Sequence, residues 1–187
     1  TAIVNATQPP PPPPPPPAAC AAPPSGLVSW YRAEWDTGDT LGGNNATAQG
    51  NVTIAPGKVG QAWQVEGGAY LSVPDSPSLD FTNALSIEGW INPTTVNANA
   101  GTVMVKGRLD TCCGQAYSII FLNQILYFHL GNSSGIDVLA ISNPLPLNSY
   151  THFAATYDGT RMKLYINGVL AASKTTTIGT LLNESLG

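Results

Sequence analysis

Residues 151–173 read THFAATYDGTRMKLYINGVLAAS, and this stretch decides the fold. It divides into His152 to Tyr157, Asp158-Gly159, Arg161 to Ile166, Asn167-Gly168 and Val169 to Ser173. Asp-Gly and Asn-Gly supply the positive φ that tight hairpin turns demand, so the stretch predicts a three-stranded antiparallel meander. In its middle strand Met162, Leu164 and Ile166 alternate with Arg161, Lys163 and Tyr165. One face therefore belongs to a core and the other to water.

The same signature extends back to Leu27, as short β-branched and aromatic runs separated by Gly, Pro, Asn and Asp. Strands are predicted at Leu27 to Tyr31, Gln61 to Val65, Ala69 to Val73, Leu85 to Asn92, Thr102 to Lys106, Tyr117 to Leu122, Ile125 to Leu130 and Asp137 to Ile141. Many short strands without a helix predict an all-β, two-sheet antiparallel sandwich. Before Gly26 the composition differs sharply. Thr1 to Gln8 is followed by nine consecutive prolines, Pro9 through Pro13 to Pro17, and then by the small-residue link AACAAPPSG. Proline fixes φ and removes the backbone donor, so the run predicts an extended polyproline II arm of about 28 Å. The chain thus divides into a tail (1–8), a polyproline linker (9–26) and a β-sandwich domain (27–187).

Charge narrows the function. Seven Lys and Arg stand against 11 Asp and Glu, for a net charge of -4 with 10% charged residues. No clustered basic residues are present to follow a phosphate backbone, which excludes a basic nucleic-acid binder. No apolar run approaches the roughly 20 residues that would insert across a bilayer. The sequence starts at Thr1 without a charged segment followed by an apolar one, as expected of an exported chain whose signal peptide has been removed.

Five segments carry a family resemblance: GLVSWYRAE (26–34), PGKVGQAWQVEGG (56–68), YLSVPDSPSLDF (70–81), LSIEGWINP (85–93) and residues 151–173. Together they resemble the laminin-G-like branch of the concanavalin A-like lectin and glucanase superfamily. The resemblance implies a jelly-roll sandwich and leaves activity open, because that superfamily includes lectins, adhesive modules, hydrolases and structural domains. Members usually follow the meander with two further strands, the last beside the first strand of the domain. Here TTTIGTLLNESLG follows, which implies a missing strand and an open edge at Leu27 to Tyr31.

The tail offers a partner for that edge. Ala2, Val4 and Ala6 alternate with Ile3 and Asn5 beyond a stiff spacer. The leading expectation is therefore strand donation between copies of the chain, which builds an extracellular or cell-surface filament head to tail. The alternative is a secreted carbohydrate-binding or adhesive module. For that reading the candidate residues are Asp75, Asp110, Asp137, Asn132, Trp35 and Trp63, while Trp63 and Trp90 also fit core positions.

Three cysteines, Cys20, Cys112 and Cys113, form an odd set. In an oxidising compartment Cys20 could join either of the adjacent pair and fix the exit angle of the arm; the leftover thiol could cross-link subunits, or the adjacent pair could bond to each other. The spacing lacks a zinc pattern and no dense acidic loop suits calcium, so neither metal nor cofactor is expected. N-x-Ser/Thr sequons at Asn5, Asn45, Asn51, Asn132 and Asn183 permit glycan attachment. Catalysis is not expected. The nearest approach to a carboxylate pair is Glu34, Asp36 and Asp39 in a Gly-rich loop, no G-x-S-x-G elbow occurs, and His129 and His152 lack a partner for base chemistry.

Overall fold

The computed structural model describes residues 22–96, 101–107 and 114–183. Its strands are β1 (Thr47–Gln49), β2 (Val52–Pro56), β3 (Gln61–Val65), β4 (Tyr70–Ser72), β5 (Leu85–Ile91), β6 (Gly101–Gly107), β7 (Gln115–Leu122), β8 (Ile125–Asn132), β9 (Gly135–Ala140), β10 (Thr151–Tyr157), β11 (Arg161–Ile166) and β12 (Val169–Thr175). Two four-stranded antiparallel sheets, ordered β12-β11-β10-β5 and β6-β7-β8-β9, form a jelly-roll sandwich, and the pairs β1-β4 and β2-β3 flank it.

The predicted meander is β10, β11 and β12. Asn167 (φ 50) and Gly168 (φ 80) form the second turn as a pair of left-handed residues. The first turn works differently. Only Gly159 has positive φ (92), and the Asp158 carboxylate holds the loop by accepting the N–H groups of Thr160 at 3.0 Å and Arg161 at 2.8 Å. Alternation delivers Phe153, Met162 and Leu164 inward against Ile119, Phe128 and Leu130 of the other sheet. Burial of each contributes about 1.5–3 kcal/mol before the entropy of ordering is subtracted. Strand β7 is buried on both faces: Tyr117, Ile119 and Phe121 join the core, while Ser118 and Ile120 are buried on the outer side.

The structure corrects several expectations. Leu27 to Tyr31 is not a strand, since its one bridge is Tyr31 to Asp39. Backbone donors that a neighbouring strand would satisfy are satisfied instead by a carboxylate, as in Trp30 N–H to Asp39 at 2.8 Å. The open first strand is therefore absent. Two strands that the sequence did not announce, β1 and β2, precede β3, and β4 is shorter than Ala69 to Val73. After β12 the chain covers its own core: Leu181 is buried, and the N–H groups of Leu181 and Leu182 donate to Thr82 and Gly131 carbonyls, each at 3.0 Å. Trp90 is not a core residue; it lies 45% exposed on the outer face of β5. The tail, the prolines Pro9 to Pro17, Cys20, Cys112, Cys113, Asp110 and Asn5 lie outside the described residues.

Candidate functional site

One end of the sandwich gathers aromatic, cationic and carboxamide side chains. The strand register places Trp90 of β5 opposite His152 of β10, and their rings meet edge to face at 5.1 Å. The ammonium of Lys58 approaches the Trp90 ring to 5.5 Å. Lys58 is carried there by the tight turn between β2 and β3. In that turn the Gly57 N–H bonds the Gly60 carbonyl at 2.9 Å, and a Cβ at position 57 would lie 2.5 Å from the Gln61 carbonyl oxygen. The Tyr150 hydroxyl ties the hairpin to the main sheet by donating to the Pro56 carbonyl at 2.7 Å.

On the other side of His152 stands Asn167. Its side-chain oxygen accepts the His152 N–H at 3.0 Å, and its own N–H returns a bond to the His152 carbonyl at 2.9 Å. Beyond Asn167 a cleft of about 370 Å³ opens between the β9–β10 loop and the β11–β12 hairpin. Ser142, Asn143 and Asn167 supply its polar groups, and Pro144, Pro146 and Leu170 its apolar walls. Lys58, Trp90 and His152 thus meet on the outer face at this end, and Asn167 links His152 to the cleft. An exposed ring, a few convergent polar groups and a concavity are the parts from which small-molecule sites are built.

Of the described residues nominated from sequence for sugar binding, only Asn132 and Asp137 come together. Asn132 and Asp137 share a shallow depression of about 350 Å³ with Thr177 and Ile178. Their polar atoms are already engaged, however: Asn132 donates to the Ile178 carbonyl and accepts from the N–H groups of Ser134 and Gly135, while Asp137 pairs with Lys174. Burial alone would raise the Asp137 carboxyl, but the bonds from Lys174 and Thr176 outweigh it and hold the group below its usual range. Asp75 is paired with Lys106 at 2.6 Å. Trp63 leans on Tyr31 with ring centres 5.8 Å apart and donates to the Asp36 carbonyl at 2.9 Å, whereas Trp35 is 75% exposed at φ 78.

Glu34, Asp36 and Asp39 likewise serve separate local duties. The Glu34 carboxylate lies against Gly60, Asp36 accepts the Gly38 N–H at 3.0 Å, and Asp39 is buried under backbone donors. His129 does acquire company: Gln115 lies 3.4 Å away, Ser118 donates to Gln115 at 2.8 Å, and Tyr127 stands edge-on at 6.2 Å. Burial pushes the imidazole pKa below its ordinary value. Among the described residues no group of three His, Cys, Asp or Glu side chains could hold a metal ion, and no helix is long and apolar enough to cross a membrane.

Sequence reasoning missed Lys58, Asn143 and Asn167 as site residues. The one available signal was the outward parity of Trp90 in LSIEGWI, where Leu85, Ile87, Gly89 and Ile91 take the other face.

Comparison with known proteins places the architecture. Residues 65–186 match the family model described as the concanavalin A-like lectin/glucanases superfamily. No curated protein matches the chain by sequence. Among solved structures, domain 4 of AbnA, an extracellular arabinanase of Geobacillus stearothermophilus solved with arabinotriose, is similar at TM-score 0.62 and 23% identity, over 83% of this chain and 81% of that one. The binding domain of Paraclostridial Mosquitocidal Protein 1 is similar at TM-score 0.62 and 19% identity, over 78% of this chain and 39% of that one. An S-layer domain-containing protein of Clostridium thermocellum is similar at TM-score 0.51 and 21% identity, over 79% of this chain and 72% of that one. At these identities the likeness concerns the fold.

Proposed function

The chain belongs to the concanavalin A-like lectin/glucanase superfamily, and from that premise we propose that it is an extracellular, non-catalytic carbohydrate-binding module whose ligand lies along the Trp90 rim. The observation that carries this reading is the exposed Trp90 ring flanked by Lys58 and His152 and continued by the carboxamide-lined cleft. A sugar presents an apolar C–H face and a belt of hydroxyls. An indole takes the first, and Asn143, Asn167 and Lys58 can exchange hydrogen bonds with the second. The fold shared with the arabinanase domain supports an oligosaccharide as the ligand class. Among the described residues no carboxylate pair is placed beside Trp90, which supports a module that holds glycan without cleaving it.

Filament assembly through donation of Ala2, Ile3, Val4, Asn5 and Ala6 is the lesser reading. The open strand that motivated it is not formed, and the donating residues lie outside the described part of the chain.

The test is a polysaccharide and glycan array followed by calorimetry on the best ligand. Trp90→Ala is expected to weaken binding at least about tenfold, or about 1.4 kcal/mol, with little change in Tm. Equal affinity in the variant overturns the placement. No binding across the array overturns the function.

A further inference from the structure

A second exposed aromatic surface lies where the chain enters the described domain, and a buried carboxylate builds it. One oxygen of Asp39 accepts the N–H of Trp30 at 2.8 Å and of Leu41 at 3.0 Å; the other accepts the Asn44 N–H at 3.1 Å. The Thr40 N–H donates to the Trp30 carbonyl at 2.8 Å. Trp30 and Leu41 are thereby fixed near each other, yet they remain 40% and 45% exposed. The guanidinium of Arg32 lies 5.5 Å from the centre of the Trp30 ring. Buried bonding thus holds rigid the backbone that carries two exposed apolar side chains, with the Arg32 guanidinium beside one of them, as in a preformed binding platform.

The chain itself turns back toward this platform. The Leu27 N–H donates to the Pro24 carbonyl at 3.3 Å and Gly26 has φ 83, so Pro24 to Leu27 is a reversing turn with glycine at its left-handed position. The turn therefore aims the chain at Ala22 and Pro23 back toward Leu27 to Trp30 instead of outward. Seven residues carry the chain from Pro24 to Pro17, about 23 Å when extended. Counted outward from the turn on both arms, Pro17 is as distant as Glu34. The nine prolines therefore begin within reach of Arg32 and of the exposed Trp35.

Polyproline II segments bind aromatic-lined surfaces because the helix is preformed and loses little entropy on docking. We propose that the proline run Pro9–Pro17 seats in cis on the Trp30–Leu41 platform of its own domain. The platform uses none of Lys58, Trp90, His152 or Asn167, so this docking and the glycan reading stand or fall separately. Docking in cis orients the arm along the domain and withholds it from other copies.

The test uses the full chain labelled with 5-fluorotryptophan, with the Trp30 signal assigned by Trp30→Phe. A second chain carries a Gly/Ser segment of equal length in place of Pro9–Pro17. Replacement is expected to shift the Trp30 fluorine resonance and increase its solvent exposure at every protein concentration. The Trp63 and Trp90 signals should stay in place, which reports that the domain remains folded. Free nonaproline peptide added to the replaced chain is expected to return the Trp30 signal toward its original position. Identical Trp30 signals in the two chains overturn the proposal. So does a Trp30 shift that grows with concentration together with dimers in sedimentation, since a second copy then takes the arm.

Discussion

The ammonium of Lys106 lies 2.6 Å from a carboxylate oxygen of Asp75 and 2.7 Å from one of Asp80, with only 9% of the lysine side chain exposed. Burial alone would lower the lysine pKa, but the two carboxylates outweigh it and hold the group protonated above its usual range. Beside this pair the Tyr117 hydroxyl donates to the Leu79 carbonyl at 2.9 Å. A buried cation and a core tyrosine together pin the loop with the 3-10 helix Pro77–Leu79 onto β6 and β7.

Removing the cation leaves two carboxylates that have lost their partner. Lys106→Met is expected to cost about 3 kcal/mol at pH 7, or about 6–12 °C in Tm for a domain of this size. Asp75→Asn should cost about 1 kcal/mol or less, because Asp75 is a third exposed and Asp80 still faces the lysine. Thermal unfolding of the two variants checks the order, and an Asp75→Asn loss equal to that of Lys106→Met contradicts it.

Stability should fall at both ends of the pH scale, for different groups. Burial holds the His129 pKa below the value of about 6.5 that an exposed histidine has, so the unfolded chain takes up a proton before the folded one. Tm should therefore slope down gently as pH drops below about 6.5. His129→Gln should flatten that slope. Burial would raise Asp39 as it would Asp137, but backbone N–H groups from Trp30, Leu41 and Asn44 outweigh it at Asp39. Both carboxyls sit below their ordinary range, so their contribution is complete above about pH 4 and is lost as pH falls further. At the alkaline end, Lys106 gives up its pairing as pH climbs through its raised pKa, and burial resists ionisation of Tyr117. Calorimetric Tm from pH 3 to 11 reads all three limbs.

Gly131 in β8 is a packing requirement, because a Cβ there would lie 2.0 Å from the Gln115 carbonyl oxygen. Neither backbone can give way inside a sheet. Gly131→Ala is expected to cost about 3 kcal/mol, against about 0.5 kcal/mol or less for Gly43→Ala, where the nearest atom is 4.0 Å away. Urea unfolding of the pair separates a steric cost from a general glycine effect.

How much of this could be read beforehand depends on whether the deciding contact was local. The meander was legible because alternation and the Asn167-Gly168 turn lie within one short stretch. Val28, Trp30 and Tyr31 carry the composition of a strand, but Asp39, later in the chain, takes the backbone donor of Trp30 and turns the segment into a platform. Strand β1, Thr-Ala-Gln, has no large apolar residue, β2 alternates only Val52 and Ile54 before Pro56, and both exist through pairing with β4 and β3. The rim was hidden for the same reason. Lys58, Trp90 and Asn143 lie far apart in sequence, and only the Tyr150–Pro56 bond and the β5–β10 register bring them to one end.

The sequons can be sorted by what their carboxamides already do. Asn51 is exposed beside the turn between β1 and β2, and Asn183 is exposed past the last strand. Asn45 is exposed as well, although its oxygen accepts the Asp39 N–H at 2.9 Å. Asn132 is half-buried: its nitrogen donates to the Ile178 carbonyl and its oxygen accepts from Ser134 at 2.8 Å and Gly135 at 3.1 Å. A glycan on that nitrogen would replace one of its two N–H groups and crowd the segment that covers the core, at a cost of about 1–3 kcal/mol if the bond to Ile178 is lost. Secreted from a glycosylating host and mapped by mass spectrometry, the folded protein is expected to carry glycan at Asn51 and none at Asn132. Asn132→Ala should lower Tm where Asn51→Ala does not, and a folded chain fully occupied at Asn132 would contradict the structural role assigned to that side chain.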